Sequence, residues 1–382
     1  MRVALLTYST RARGGVVHTL ALAEALADLG TEVTVHALGR GGDTAFFRPV
    51  RADVEVRLVP LPDVDGEDVG ARVLRSIDAL TAAVDPQAYD VVHAQDCISA
   101  NAVPGALRTV HHIDRFTTPE LARCHERALV TPPAHVCVSA AVAGELRAGW
   151  GIEATVIPNG VDAERFAAAS SDEPAAVAAR RAWRERLGPA AIVLAVGGIE
   201  PRKGTIHLPG ALGRLADAGR PARLVIAGGE TLFDYRSYRA AFDRACAEHG
   251  IEPLVLGPVA HDALPSLVAT ADVFAFPSVK EGFGLAALEA LAAGVPTVMS
   301  DLPVLREVFD GAVWFAPDPL APDGLAAALG EALDDRVRGD GGGRDDGRRV
   351  AGRALAHAHR WDTAARAHLA LYERLHAVPS RG

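Results

Sequence analysis

Four short stretches carry residues whose types and spacing suit chemistry. The first is VGGIEPRKGT, 196–205. An apolar run ends at Gly197-Gly198, and the loop beyond it carries Glu200, Arg202 and Lys203 into a helix. Glycines at a strand-to-helix turn bring backbone N–H groups and the helix dipole toward an anion. A guanidinium fork and an ammonium point charge beside them suit a diphosphate. The loop is not a Walker A motif, because the order here is Lys203-Gly204-Thr205 and not Gly-Lys-Ser/Thr. No G-x-G-x-x-G follows the first apolar run, which weighs against a nicotinamide dehydrogenase. Read alone, an Arg-Lys pair in a loop is most often a solvated charge run.

The second stretch is PSVKEGFGLAALEALAAGVP, 277–296. Gly282 and Gly284 flank Phe283 just before the helical run LAALEALAA. The N–H groups of Phe283, Gly284 and Leu285 are helix-start donors with no intrahelical partner, ready for phosphate oxygens. Glu281 precedes that helix and Glu289 lies on it. A carboxylate is a poor neighbour for phosphate but a good acceptor for vicinal hydroxyls, such as those of a ribose or hexose. A solvated helix face is a weak alternative for Glu289, since Ala286, Leu288, Ala290, Leu291 and Ala292 leave few polar positions around it.

The other two stretches lie nearer the N-terminus. RTVHHID, 108–114, puts His111 and His112 at the end of a β-rich run, where period-two alternation sends them to opposite faces. A lone strand histidine is usually structural, but a pair at a sheet's C-terminal edge favours function for one or the other. HAQD, 93–96, ends the preceding run, and His93 and Asp96 are weaker candidates for the acceptor side. They do not amount to a metal ligand set. Gly14-Gly15 forms a tight turn after the first run, where backbone can approach a sugar or diphosphate. Arg11 and Arg13 just before it either meet an anionic acceptor or, as favoured, are simply solvated.

Composition bounds what these stretches can serve. The chain has 382 residues, 49% hydrophobic and 23% charged, the balance of a globular protein. A net charge of -9 argues against broad nucleic-acid binding. Only two of the 39 basic residues are lysines, Lys203 and Lys280, and both fall in the anion-binding stretches. That bias, with so much Ala, points to a GC-rich genome. The cysteines Cys97, Cys124, Cys137 and Cys246 have no C-x-x-C spacing, so reduced thiols and a cytoplasmic setting are expected. No run approaches the roughly 18 apolar residues of a membrane span. Peripheral membrane contact stays open, since it needs only a surface patch.

The elements that must position these stretches follow from periodicity. Strands are expected over 2–8, 32–38, 54–60, 90–95, 108–112, 135–139 and 154–158, then over 191–197, 223–228, 253–257, 272–277, 296–300 and 312–316. Helices intervene. Near-continuous apolar strands between helices imply parallel sheets covered on both faces. Two successive sets make an α/β chain of two doubly wound Rossmann-like domains, with ligands expected beyond the strand ends, in a cleft between them. The domains are drawn at 1–170 and 171–358, with a C-terminal helix in 359–382 that begins at Trp361. Segment 334–349, with Gly341, Gly342 and Gly343 in a row, reads as a flexible surface excursion. The 40–51 loop, holding Phe46 and Phe47, reads equally as an acceptor lid or a packed crossover.

GGIEPRKG followed by SVKEGFGLAALEALAAGVPTVMSD resembles the donor-binding half of glycosyltransferase family 4, retaining enzymes of GT-B fold. The spacing of Glu281 and Glu289 matches that family's Glu-x7-Glu motif. The resemblance extends to IPNGVD (157–162), to ADVFAFPS (271–278) and to the Gly14-Gly15-Val16 turn, and with the arginine bias it is to an actinobacterial type. It implies a cleft facing both domains and a last helix that crosses back to the first. It implies Arg202 and Lys203 on the nucleotide diphosphate, Glu289 on the ribose, and Glu281 at the donor sugar with Phe283 and Gly284 nearby. It further places the base near Gly257–Val259 and His111 against the donor sugar, with Gly198 in the phosphate turn.

The expected reaction is transfer of a sugar from a UDP-, GDP- or ADP-sugar to an acceptor hydroxyl with retention, metal-independent and without a further cofactor. The acceptor class, whether small molecule, glycan or lipid-linked, and the oligomeric state are not set by these residues. Two other readings share the diphosphate site: a GT-B-fold sugar-nucleotide epimerase or phosphorylase, and a non-catalytic sugar-nucleotide-binding protein.

Overall fold

The computed structural model describes the backbone of residues 1–114, 116, 118–228, 235–317, 321–340 and 347–377. The chain folds as two compact units, one made of residues 1–160 and the segment from Trp361, the other of Val161–Arg360. The first division falls earlier than the 170/171 boundary drawn from sequence, because the short helix Ala163–Ala169 buries Phe166 in the second unit's half of the chain.

The first unit is built on seven parallel strands. They are β1 (Arg2–Thr7), β2 (Glu32–Arg40), β3 (Val54–Leu61), β4 (Val91–Ala94), β5 (Leu107–Val110), β6 (His135–Cys137) and β7 (Thr155–Val156). Their order is β3-β2-β1-β4-β5-β6-β7. β1 is central, with Ala4 opposite Thr34 on one side and Val92 on the other. Its run RVALLT is buried from the second residue on, as a strand covered on both faces must be. Val3 and Leu5 share a core with Val16, Leu20 and Leu26 of the helix Gly14–Asp28.

The last helix, Trp361–Ala377, belongs to this first core. Ala364, Ala365, Leu371 and Tyr372 are buried with the residues of β1 and the Gly14–Asp28 helix. Tyr372 is fully buried, and its hydroxyl lies 2.8 Å from His93 Nδ1, while His93 Nε2 lies 2.6 Å from Thr109 Oγ1. His93 is therefore a satisfied core histidine, which corrects its assignment to the acceptor side. Asp96 is likewise structural: it caps the helix Cys97–Ala102 through Ser99 and accepts the backbone N–H of Tyr8. The 40–51 loop is a packed crossover, with Phe46 in the core and the Phe47 N–H bonded to the Thr10 carbonyl.

The second unit repeats the plan with six parallel strands: β8 (Ala191–Val196), β9 (Ala222–Ala227), β10 (Leu254–Gly257), β11 (Val273–Phe276), β12 (Thr297–Ser300) and β13 (Trp314–Ala316). Their order is β10-β9-β8-β11-β12-β13. In both units the chain leaves the central strands in opposite directions, so each sheet has a switch point, at β1/β4 and at β8/β11. The excursion expected over 334–349 needs correction at both ends. Helix Pro322–Asp340 continues through its start, and helix Arg348–Ala358 begins before its end. Leu325, Leu329, Ala332 and Leu333 recur at helical spacing and anchor the first of these on the core. Residues 341–346, with the three glycines, lie outside the described residues. Among the described residues no helix is long and apolar enough to cross a membrane.

Candidate functional site

The second unit gathers its chemistry at the C-terminal edge of the sheet, around β8/β11. Gly197 and Gly198 follow β8, and their peptide lies so close to Gly228 that a Cβ on Gly228 would sit 2.1 Å from the Gly197 oxygen. The Gly228 N–H donates to the Gly257 carbonyl at 2.9 Å, which draws the β10 end into the same loop set. After Glu200 the chain makes a tight turn at Pro201–Lys203, closed by Gly204 at φ 62°. A Cβ at Gly204 would lie 2.0 Å from the Pro277 carbonyl oxygen. The Val279 N–H donates to the Arg202 carbonyl at 2.9 Å. The two stretches singled out from sequence are thus one surface.

Glu281 is the electrostatic hub of that surface. Its Oε1 accepts from Lys203 Nζ at 2.7 Å, Arg202 Nη1 at 3.1 Å and Ser278 Oγ at 2.9 Å. Burial would raise its pKa, but the charges of Lys203 and Arg202 and the hydrogen bonds from Lys203 and Ser278 bring it down to about 2. Lys203 also sits 4.9 Å from the centre of the Phe276 ring, and its burial lowers its pKa even beside Glu281. Arg202 reaches Glu200 Oε1 at 3.2 Å with Nη2. Two cations and two carboxylates therefore hold one another in place. Ser278 had no signal in the sequence beyond its place three residues before Glu281. Lys280 has no side-chain bond among the described residues, and its backbone N–H faces the Arg202 carbonyl at 3.4 Å.

Helix Leu285–Ala292 opens directly after this cluster, with Gly284 as its N-cap at φ 109°. A side chain at Gly284 would collide with the Phe309 ring, so the cap has no side-chain acceptor of its own. Phe283 is buried, its ring 5.6 Å from that of His359, and it offers only backbone to a ligand. The N–H groups of Phe283, Gly284 and Leu285 make no hydrogen bond among the described residues. Glu289 lies two-thirds of the way along this short helix. Burial lifts its pKa to about 7, against the opposing pull of Arg165 and with a further push from Asp162. Those two partners belong to the IPNGVD segment and the helix after it.

The first unit places Gly15 and His111 together. A Cβ on Gly15 would lie 3.6 Å from His111 Nε2, and the His111 ring meets that of His18 edge-on at 4.8 Å. His18 is held by Asn159 at 2.8 Å. His111 Nε2 is buried without a partner, and burial keeps the ring well below the usual histidine pKa. His112 turns to Asp114 at 2.9 Å, so the two histidines do point apart. Gly14 starts its helix with no side-chain cap and no acid in the first turn. Arg11 is exposed and pairs with Asp43 at 3.5 Å. Among the described residues no group of three or more His, Cys, Asp or Glu is arranged to hold a metal ion.

Comparison with known proteins divides along the same line as the fold. Residues 12–165 match the sequence model described as Glycosyltransferase Family 4, and residues 180–345 the one described as Glycosyl transferases group 1. The chain is 34% identical over 260 residues to glycogen synthase of Mycobacterium tuberculosis, a match covering 65% of this chain and 56% of that one. It is 29% identical over 403 residues to D-inositol 3-phosphate glycosyltransferase of Xylanimonas cellulosilytica, covering 94% and 91%. Among solved structures, Anabaena HepE in complex with UDP-glucose superimposes with a TM-score of 0.74 at 18% identity, covering 98% of this chain and all of that one. The α/β architecture is GT-B, and by sequence in each of its two units the chain belongs to the glycosyltransferases, family 4 in the first and group 1 in the second.

Proposed function

We propose that this chain moves a sugar from a nucleotide-diphosphate sugar to an acceptor hydroxyl, with retention at the anomeric carbon. The observation that carries the reading is the union of Arg202 and Lys203 with the uncapped helix start at 283–285. Departure of the diphosphate is the difficult event, and these groups stabilise the charge that gathers on it. The bond from the anomeric carbon to the phosphate oxygen breaks, and its electron pair leaves with the diphosphate. The acceptor oxygen bonds to the same face, and its proton passes to the departing phosphate. This route needs no carboxylate nucleophile of the glycosidase kind.

In this reading Glu281 has two tasks. Its Oε1 keeps Lys203 and Arg202 in position, and its Oε2, which makes no hydrogen bond among the described residues, accepts from a sugar hydroxyl. Glu289 accepts from the ribose, and the loop at Gly257–Val259 takes the base. Gly198 and the Gly14-Gly15 turn approach the donor through backbone, and His111 addresses the donor sugar through Nε2. UDP-glucose in the Anabaena structure supports a sugar nucleotide as donor class. Calorimetry with UDP, GDP and ADP tests the diphosphate site. At least one binds, and Lys203→Ala weakens it by about tenfold or more, the worth of a charged hydrogen bond. Equal affinity in the variant would remove Lys203 from the site.

A further inference from the structure

Outside the donor loops, the first unit holds a buried cation without a carboxylate partner. Arg108 lies on β5, opposite Ala94 of β4 and His135 of β6, and is 5% exposed. Its Nε and Nη1 are shut off from solvent with no hydrogen-bond partner, and no carboxylate pairs with it among the described residues. A buried charge with nothing to answer it is costly, so a nearby anion is expected. Asp96 does not serve. Its oxygens are taken by the N–H groups of Tyr8 and Ser99 and by the Ser99 hydroxyl, and burial lifts its pKa to about 6.

The group beside Arg108 is a pair of thiols. Cys97 opens the helix Cys97–Ala102, and Cys124 lies in the helix Pro119–Val130. Asn101 ties the two helices at these positions, its amide donating to the carbonyls of Cys97 and Cys124, both at 2.7 Å. Cys124 Sγ lies 3.5 Å from the Cys97 carbonyl oxygen and within hydrogen-bond reach of the Cys97 sulfur. Among the groups that favour the charged form of Arg108, Cys97 comes first, ahead of Asp96 and Cys124. The hydrogen bond from Cys124, with His125 and Arg108 beside it, holds the Cys97 thiol well below its ordinary pKa against the effect of burial. Exposure separates the two sulfurs: Cys97 is partly open to solvent, whereas Cys124 is buried behind it. The other two cysteines are ordinary core thiols, with burial raising Cys137 to about 12 and Cys246 to about 11.

We propose that Cys97 and Cys124 form a redox-active dithiol, in which Cys97 is the thiolate that answers Arg108, reacts with a peroxide, and is resolved by Cys124 to an intramolecular disulfide. A partly exposed thiolate next to a second thiol is the arrangement that peroxide chemistry requires. The Cys97 sulfur attacks one oxygen of hydrogen peroxide, the O–O bond breaks, and hydroxide leaves. The sulfur has given up two electrons and is a sulfenic acid. The Cys124 sulfur then attacks the Cys97 sulfur, the S–O bond breaks, and the departing oxygen takes the Cys124 proton to leave as water. One thiolate, one thiol and one peroxide thus give one disulfide, one water and one hydroxide. Exchange with a reducing thiol restores the pair.

The test uses the full chain, reduced and then freed of reductant. It is treated with equimolar hydrogen peroxide at several pH values, quenched by alkylation and mapped by mass spectrometry. A Cys97–Cys124 disulfide should form at least about tenfold faster than Cys137 or Cys246 is oxidised, because only Cys97 is already a thiolate. For the same reason its rate should change by less than about twofold between about pH 6 and 8, where an ordinary thiol gains about tenfold per unit. In Cys124→Ser the sulfenic acid has no resolving partner, and dimedone should trap it on Cys97. Arg108→Gln should bring back the pH dependence of the rate, a readout that a purely structural arginine would not move. Circular dichroism checks that this variant is folded; if it is not, wild type and Cys124→Ser decide the matter. Oxidation of Cys97 no faster than that of Cys137, a rate that climbs about tenfold per pH unit in wild type, or no dimedone adduct on Cys97 would each overturn the proposal.

Discussion

Glu281 and Glu289 share one motif but stand in opposite electrostatic settings. Glu281 is held by two cations, so its folded pKa of about 2 lies below the ordinary 4.5. Its stabilisation is present above pH 4.5 and is lost as pH falls toward 2. Glu289 is the reverse: burial lifts it from 4.5 to about 7. The native state prefers it protonated, so that contribution is present below pH 4.5 and is lost as pH rises through 7. In urea unfolding followed against pH, Glu289 therefore adds a decline from pH 4.5 to about 7, set against a rise over the same range from the buried histidines His18, His36, His93, His111 and His368, whose burial holds them below their ordinary pKa. Glu289→Gln should remove its share of the decline, leaving the variant up to about 3 kcal/mol more stable than wild type at alkaline pH and nearly equal at pH 4. Identical pH profiles would show that Glu289 is better solvated than its position implies. In the proposed role of Glu289, a carboxyl group with a pKa of about 7 can donate or accept toward a ribose hydroxyl, so its titration would be felt in donor binding.

At the scale of elements, the decisive feature is the junction of the 200–204 turn with the 277–281 loop. Gly204 makes it, because only a residue without Cβ can sit at φ 62° with the Pro277 carbonyl in that position. Gly204→Ala should cost at least about 2 kcal/mol and weaken nucleoside-diphosphate binding, since it forces the two loops apart. Gly219→Ala, also at positive φ (76°) but with open space around it, should cost only about 1 kcal/mol and leave binding intact. Denaturation and calorimetry on the pair separate the two effects, and equal losses would mean that the loop junction is unimportant. Strands were readable from sequence because each is a short apolar run bounded by turn residues, and every expected run became one. The junction was not readable. Lys203 and Glu281 lie far apart in sequence, and nothing in a one-dimensional pattern says that the carboxylate expected at a sugar is already engaged by the cations expected at a phosphate. His93 misled for a related reason: its partner Tyr372 comes from the other end of the chain. The helix through 334–340 was obscured by its run of Asp334, Asp335 and Arg336, although Leu325, Leu329 and Leu333 carried the period.

For the whole molecule, the two units each supply a sheet edge with glycines, orphan N–H groups and a few buried charged side chains. Motif spacing made the second unit's edge legible, whereas the first unit's edge showed its character only once Gly15 met His111. A net charge of -9 says nothing of these local basic groups. The central claim is that the chain transfers a sugar, and the measurement that meets it head-on is product release. The protein is incubated with UDP-, GDP- and ADP-sugars, first alone, then with inorganic phosphate, then with a pool of neutral and phosphorylated polyols. Nucleoside diphosphate released at speed only with the polyol pool, together with a glycosylated product of retained configuration, is the predicted result. Turnover with the donor alone or with inorganic phosphate, or tight donor binding with no turnover at all, would contradict it.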